Sequence, residues 1–490
     1  VSPPREPGSV ARRIPVALGL AAVLGLHLFL CVHHARFGEM GADEGFYAVA
    51  ARSAMEGKLP YRDFAYTQMP LLPYLNGAAM AVVGFSMDSQ RMINVAWSTI
   101  GLVAIVLAIR QRLGKWEPAI AAAFVACASP HWAALQGIGT SHGPAGMFLA
   151  LSAAAVLSTS DHRKRVWALA AFSALAVGCR LLAAPPILFL IAALALQADG
   201  RGERIRSAAI PLGAIALANL PFFLAAPSNA YYDVWTYHVG SSLDRRSIGN
   251  WVEWWRTGPA AIMVLVAGLT TAAAHLKRRN WTELLLIGAA LAGVLVPMLP
   301  RSAYGLYIAP AVPLAAAAGI VAAWSLLEGR PSPFRHIVWL LPLVVLYYDL
   351  PATDEAGASA QIRELAEFVE AEAPEGPVLS PIPIVAVEAE REVLPGTEMG
   401  MFSVMASKRA KRAKRLGLTT LPDLTRAVNE RIPAAIVLRR GRSPWNFAWI
   451  NPTLRLQPRQ EIADLIRAIH KGYGKGFTNR DGVVWVREDL

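Results

Sequence analysis

Long apolar runs, interrupted at short intervals by clusters of Lys and Arg, dominate the first 350 positions of this chain. They fall near 14–34, 89–109, 116–136, 143–159, 166–181, 183–198, 207–225, 258–275, 281–299, 304–326 and 334–350. That is about eleven stretches near the length of a membrane-spanning helix. The pair 166–181 and 183–198 is short and divided only around Arg180, so it reads as two spans or as a re-entrant pair. Either reading returns the chain to the same side at Arg201. Between the first two spans, 43–57 and 69–84 have helical length but are too amphipathic or Pro-broken to span, which predicts helices lying along the membrane surface. The turn formers of Gly57-Lys58-Leu59-Pro60-Tyr61-Arg62-Asp63-Phe64 separate them.

After Leu350 the pattern changes: Glu and Arg rise and no run is long enough to span. Helical periodicity near 356–372, 421–431 and 459–471, with short apolar strands at 377–379, 434–438 and 483–486, predicts a small soluble α/β domain. The fold class expected is therefore an α-helical polytopic membrane domain over 1–350, with a catalytic first outer loop at about 35–88, followed by an α/β domain over 351–490.

Composition agrees, since 490 residues that are 54% hydrophobic and 17% charged, with mean hydropathy +0.38, exclude an ordinary soluble protein. Charge adds the orientation. The clusters Arg12/Arg13, Arg110/Arg112/Lys115, Arg163/Lys164/Arg165, Arg201/Arg204/Arg206, Lys277/Arg278/Arg279 and Arg330/Arg335 recur at every second connection. Basic loops stay on the cytoplasmic side, so the N-terminus is expected inside and the C-terminal domain outside. Loops 35–88, 137–142, 226–257 and 299–303 go with it, facing the periplasm or exterior of a cytoplasmic (inner) membrane. The apolar run after Arg5, Arg12 and Arg13 reads as a retained signal anchor. Cys31, Cys127 and Cys179 lie inside apolar runs and offer neither a disulfide framework nor zinc spacing.

Two adjacent carboxylates in Gly41-Ala42-Asp43-Glu44-Gly45-Phe46-Tyr47, at the border of the first span, are costly unless hydrated, paired or used. Asp43 also suits a helix N-cap, a role compatible with a general base because a carboxylate held there stays ionised and oriented. Arg180 in Gly178-Cys179-Arg180 and Arg301 in Pro300-Arg301-Ser302-Ala303-Tyr304 sit at outer boundaries, where a guanidinium either snorkels or meets an anion. The aromatic stretch Tyr231-Tyr232-Asp233-Val234-Trp235-Thr236-Tyr237-His238 fits an interfacial belt or a sugar-binding surface. His142 and His238 face the same side. The run from Lys408 to Arg415 reads as a solvated helix face, with lipid phosphates or an acidic glycan as the sharper alternative.

The stretch Asp43-Glu44-Gly45-Phe46-Tyr47, then Gly57 to Phe64, then Pro70-Leu71-Leu72-Pro73-Tyr74-Leu75, Gly84 and Arg91, resembles GT-C type glycosyltransferases that use polyprenyl-phosphate sugars. It looks most like the protein mannosyltransferase and aminoarabinose transferase branch, over about residues 10–115. Tyr307-Ile308-Ala309-Pro310-Ala311-Val312-Pro313 is similar to the family's Tyr-x-x-Pro-x-x-Pro entrance to a late span. The resemblance implies that Asp43 is the base for the acceptor hydroxyl and that Glu44 is a second acid at the catalytic site. Substrate contacts are expected from Tyr61, Asp63, Arg180, His238, Arg301, Tyr304 and Tyr307. Where the aminoarabinose branch often has Lys-Pro-Pro, this chain has Gln68-Met69-Pro70, which leaves the sugar open.

The expected activity is transfer of a sugar from a polyprenyl-phosphate donor to a hydroxyl of a lipid, polysaccharide or protein on the outer face, with inversion. No cofactor is required; Asp43, Glu44 and Asp63 are candidates to share a divalent ion, although no spacing demands one. No nucleic-acid partner is expected. A multi-span transporter or lipid flippase is the alternative, disfavoured because no corresponding halves are apparent. A third reading is a scaffold that acts through its C-terminal domain.

Overall fold

The computed structural model describes residues 8–39, 43–127, 130–240, 269–298, 305–327, 357–439 and 459–488. The expected span 334–350 and most of 258–275 lie outside these residues. Four of the described helices are long and apolar enough to cross a membrane: Pro15–Phe37 within α1 (Gly8–Phe37), α4 (Met87–Leu113), α10 (Arg201–Ala225) and the segment Tyr307–Leu326. Shorter apolar helices fill the bundle between them: α5 (Glu117–Cys127), α6 (Pro130–Gln136), α7 (His142–Leu157), α8 (His162–Cys179), α9 (Ala184–Leu196) and a late helix over Trp281–Leu295. Within the expected span over 116–136, α5 and α6 are helical, and residues 128 and 129 between them lie outside the described residues.

Helix α4 orients the bundle. It begins at the N-cap Ser86, whose hydroxyl accepts from Ser89 N–H, and ends at Gly114 in the left-handed conformation. Arg91 near its start and Arg112 near its end are separated by about 30 Å at 1.5 Å per residue, the thickness of a hydrocarbon core. At the far end, Arg112 pairs with Glu283 at 2.9 Å and Lys115 lies over the Trp324 ring. The cations at the close of α4 therefore lie at the end opposite Arg91, beside the start of the Trp281–Leu295 helix.

At the Arg91 end lie α2 (Glu44–Met55) and α3 (Leu72–Val83), the two helices expected to lie along the membrane surface. Helices form there, but α2 is buried almost all round. Its small residues Ala48, Ala50, Ala51 and Ala54 contribute little to an amphipathic pattern yet allow close approach on every face. A Cβ on Gly45 would meet the Pro383 side chain at 2.8 Å, so the second residue of α2 seats directly on the C-terminal part of the chain.

That part is an α/β unit. Strands β1 (Val378–Leu379), β4 (Ala435–Arg439), β6 (Gly482–Arg487) and β5 (Tyr473–Thr478) form one sheet in the order β1-β4-β6-β5. β1 pairs parallel with β4, and the other two pairings are antiparallel. The short strands β2 (Val404–Met405) and β3 (Thr419–Thr420) pair parallel beside it. The amphipathic helices Ala358–Glu372, Leu421–Asn429 and Arg459–Gly472 fall where periodicity placed them. The unit has its own sheet, but its core continues into the outer helices: Ala48, Val49, Ala51, Met80 and Met87 pack in one cluster with Ile384, Val385 and Ile362. Met87 N–H donates to Glu388 at 2.7 Å, and Arg52 donates to the Arg391 carbonyl at 3.0 Å.

Candidate active site

Asp43 occupies the N-cap position of α2 with no side-chain capping bond, so the expected cap is absent and the carboxylate is not spent on the helix. It is partly exposed. Burial of the surrounding site pushes its carboxyl up to about 6, with Arg180 opposing and Glu44 reinforcing the shift. Desolvation thus outweighs the nearby guanidinium, and the group titrates close to neutrality, where a proton acceptor is useful.

Arg180 is delivered by a break in the chain. Helix α8 stops at Cys179, Arg180 is extended at φ −156° and ψ 122°, and a 3-10 turn over Leu181–Ala183 leads into α9. The break is fixed from the side: Leu71 N–H donates to the Gly178 carbonyl at 2.8 Å, and a Cβ on Gly178 would overlap the Leu71 side chain at 2.3 Å. A larger residue there would have to displace the Leu71 side chain. The buried guanidinium donates from Nη1 to Ser141 Oγ at 2.6 Å and lies over the Tyr307 ring at 4.9 Å. Its Nε has no hydrogen-bond partner among the described residues. Tyr47 donates its hydroxyl to the same Ser141 Oγ at 3.2 Å, joining the first turn of α2 to the Arg180 centre. Beside Ser141, His142 Nδ1 is bonded to Thr140 Oγ1 at 2.7 Å while its buried Nε2 has no partner among the described residues.

Glu44 is placed differently from its neighbour. It is fully buried, receives Arg91 Nε and Nη2 at 2.8 and 2.9 Å, and accepts Gly139 N–H at 2.7 Å. Arg91 also donates to the carbonyls of Ala35, Gly38 and Glu39. This bidentate pair ties the end of α1, the start of α2, α4 and the 137–139 loop together. Its geometry is that of a clamp at the foot of the Asp43 turn.

Tyr61 and Asp63 are turned inward to their own loop. Tyr61 has left-handed φ +68°, and its buried hydroxyl donates to the Gln68 carbonyl at 2.6 Å. Asp63 pairs with Arg62 at 2.8 Å and accepts Leu59 N–H at 2.7 Å, contacts that hold its carboxyl below the usual range. The three carboxylates considered as a shared metal site are therefore not gathered, and among the described residues no group of three or more His, Cys, Asp or Glu is placed to hold an ion. His238 Nε2 is hydrogen-bonded to the Thr67 carbonyl at 2.6 Å, and burial pushes its ring downward in pKa. Tyr307 lies against Arg180 as described. Arg301 and Tyr304 lie outside the described residues.

Sequence reasoning missed Ser141, Tyr47 and Asp233. Asp233 is fully buried, accepts Tyr66 N–H at 3.1 Å with Oδ2, has no partner for Oδ1 among the described residues, and is pushed up to about 7 by burial. It sits in a π-helical turn, Tyr232–Thr236, a geometry frequent at functional sites. An acid enclosed by Tyr231, Tyr232 and Trp235 just past a long apolar helix was the available signal. Arg180 and Tyr307 also line a small, mainly apolar pocket with Leu149, Leu182, Pro186, Gly293, Pro297 and Pro310.

The helical bundle with an α/β unit beside the Asp43 end is a fold shared with solved glycosyltransferase structures. The chain is similar to ArnT from Cupriavidus metallidurans bound to undecaprenyl phosphate, at 14% identity over 96% of this chain and 97% of that one, with TM-score 0.62. It is also similar to the Archaeoglobus fulgidus oligosaccharyltransferase in the apo form, at 13% identity over 95% and 74% of the two chains, TM-score 0.52. The arabinofuranosyltransferase AftD from Mycobacteria matches at 14% identity and TM-score 0.52 over 96% of this chain, which spans 40% of that one. More narrowly, residues 67–226 match the family model of dolichyl-phosphate-mannose-protein mannosyltransferase. No curated protein sequence matches the chain. With this fold and its long apolar helices, the chain is an integral membrane protein.

Proposed function

We propose that this chain is a membrane glycosyltransferase that moves a sugar from a polyprenyl-phosphate donor to an acceptor hydroxyl at the outer face of the cytoplasmic membrane. The observation that carries the reading is the neighbourhood of Asp43, a carboxylate raised toward neutrality, and Arg180, a buried guanidinium that acts electrostatically on Asp43 and whose Nε has no hydrogen-bond partner among the described residues. Asp43 takes the proton of the acceptor hydroxyl as its oxygen attacks the anomeric carbon from the face opposite the phosphate. The bond from that carbon to the phosphate oxygen breaks, the electron pair leaves with the phosphate, and the sugar is transferred with inversion. Arg180, held by Ser141 and Tyr307, meets the charge that develops on the leaving group. A lipid-linked donor is in keeping with a protein of similar fold, ArnT, whose structure is known bound to undecaprenyl phosphate.

The step as written calls on no metal or organic cofactor. In this reading Glu44 positions the first turn of α2, Tyr61 and Asp63 shape the loop above it, His238 fastens that loop, and Arg301 and Tyr304, outside the described residues, are retained as substrate contacts. The outward orientation rests on the cations at the close of α4, at the end opposite Arg91. Turnover of a labelled polyprenyl-phosphate sugar by the purified chain in detergent, compared with Asp43→Asn, tests it. Transfer that survives the substitution intact rules out Asp43 as the base. A chain that turns over no such donor, yet moves the intact lipid across a vesicle membrane, returns the reading to a flippase.

A further inference from the structure

The run from Lys408 to Arg415 takes no part in the chemistry above, and the structure ties it to one end of α10. Lys408, Arg409, Lys411, Lys414 and Arg415 are exposed, Arg412 is half-buried, and none of them makes an ion pair among the described residues. Other surface arginines of the same unit are paired, Arg363 with Asp88, Arg426 with Asp423 and Arg467 with Asp464. The cluster is thus a run of like charges with no ion-pair partner among the described residues.

Its position is tied to the outer end of α10. Asn229, four residues past that helix, donates to the Tyr61 carbonyl at 3.0 Å and to the Arg415 carbonyl at 3.4 Å. The Arg412 guanidinium lies over the Tyr232 ring at 5.0 Å. On α10 below, Leu217, Leu220 and Leu224 are 78%, 51% and 67% exposed, and just past its end Tyr231 and Trp235 are also exposed. One continuous stretch of surface therefore presents aliphatic, then aromatic, then cationic side chains. That is the layer order of a lipid monolayer seen from the acyl chains to the phosphates. A soluble polyanion matches the cations and leaves the exposed Leu and Trp without a partner.

We infer that Lys408, Arg409, Lys411, Lys414 and Arg415 form a docking surface for the phosphates of anionic lipid headgroups in the outer leaflet, holding the α/β unit against the bilayer beside the reaction centre. The inference rests on the membrane placement of α10 and is independent of the transferase reading. Each cation held near an anionic surface strengthens association several-fold, and salt weakens it.

The test uses the full chain in discs of phosphatidylcholine doped with spin-labelled phosphatidylglycerol or, separately, spin-labelled phosphatidylcholine. The wild type is expected to immobilise more of the anionic lipid than of the zwitterionic one, with the difference shrinking as salt is added. A variant carrying Lys408→Gln, Arg409→Gln, Lys411→Gln and Lys414→Gln, which keeps Arg412 on Tyr232, is expected to lose most of that difference. Its immobilisation of phosphatidylcholine, which reports an intact apolar surface, should stay unchanged. Equal immobilisation of both lipids by the wild type overturns the inference, and so does a preference that survives in the variant. Binding of a soluble acidic polysaccharide to the patch without any lipid preference reassigns it to a glycan.

Discussion

Asp43 and Glu44 are consecutive in the chain and serve two regions with opposite electrostatics. Around Glu44, every charge is matched: a bidentate guanidinium, a backbone N–H and three further carbonyls on Arg91 close the network with nothing exposed. Around Asp43, the matching is left incomplete: no cap, an Arg180 Nε without a partner, and a carboxyl raised to about 6. A satisfied buried pair contributes fixed geometry, because separating it is costly. An unsatisfied one contributes reactivity, because its charges still have something to gain from a substrate. One peptide bond separates the region that holds the site still from the region that works.

Substitutions can break this contrast. The largest effect is expected for Asp43→Asn, which should lower transfer by about 10² to 10⁴ while leaving the melting temperature in detergent near that of the wild type. Glu44→Gln should do the reverse in kind: by leaving Arg91 buried without a counter-charge it should cost about 3–5 kcal/mol in denaturant unfolding. If Glu44→Gln instead abolishes transfer at unchanged stability, the two acids share the chemistry and the contrast dissolves.

Acidity sharpens the same comparison. Asp43 acts as a base only when ionised, and its carboxyl lies near 6, so the rate should fall about tenfold per pH unit below that value and level off above it. The acid limb should be missing from whatever activity Asp43→Asn retains. The smallest effect is expected from Ser141→Ala, which removes the hydroxyl shared by Arg180 and Tyr47. About a tenfold loss of turnover follows from one hydrogen bond to a charged group, with the dependence on pH unchanged.

Much of the fold was legible because local pattern and global structure agree. Helices α2, α3 and those of the α/β unit begin within a residue or three of where periodicity put them, and strands β1, β4 and β6 lie where short apolar runs were bounded by turns. Strand β5 was not legible: Tyr473-Gly474-Lys475-Gly476-Phe477-Thr478 has neither alternation nor apolar continuity, and it pairs because β6 offers an edge. The burial of α2 was hidden for a related reason, since alanines mark a close approach only once the partner surface is known. In the site, Asp43 and Arg180 stood out as charges at apolar borders, a signal carried by each residue alone. Ser141, Tyr47 and Asp233 acquire meaning through contacts with partners 39 to 167 residues away. Nothing in their immediate sequence encodes such contacts.

The seat of Gly45 on Pro383 has a mechanical corollary. Asp43 opens a turn that is anchored on two fronts: Gly45 seats on the α/β unit, while the Glu44–Arg91 pair and the Tyr47–Ser141 bond fasten the same turn to the bundle that carries Arg180. The placement of the carboxylate is then set by anchors at Glu44, Gly45 and Tyr47, so that loosening any one of them tilts the turn that carries it.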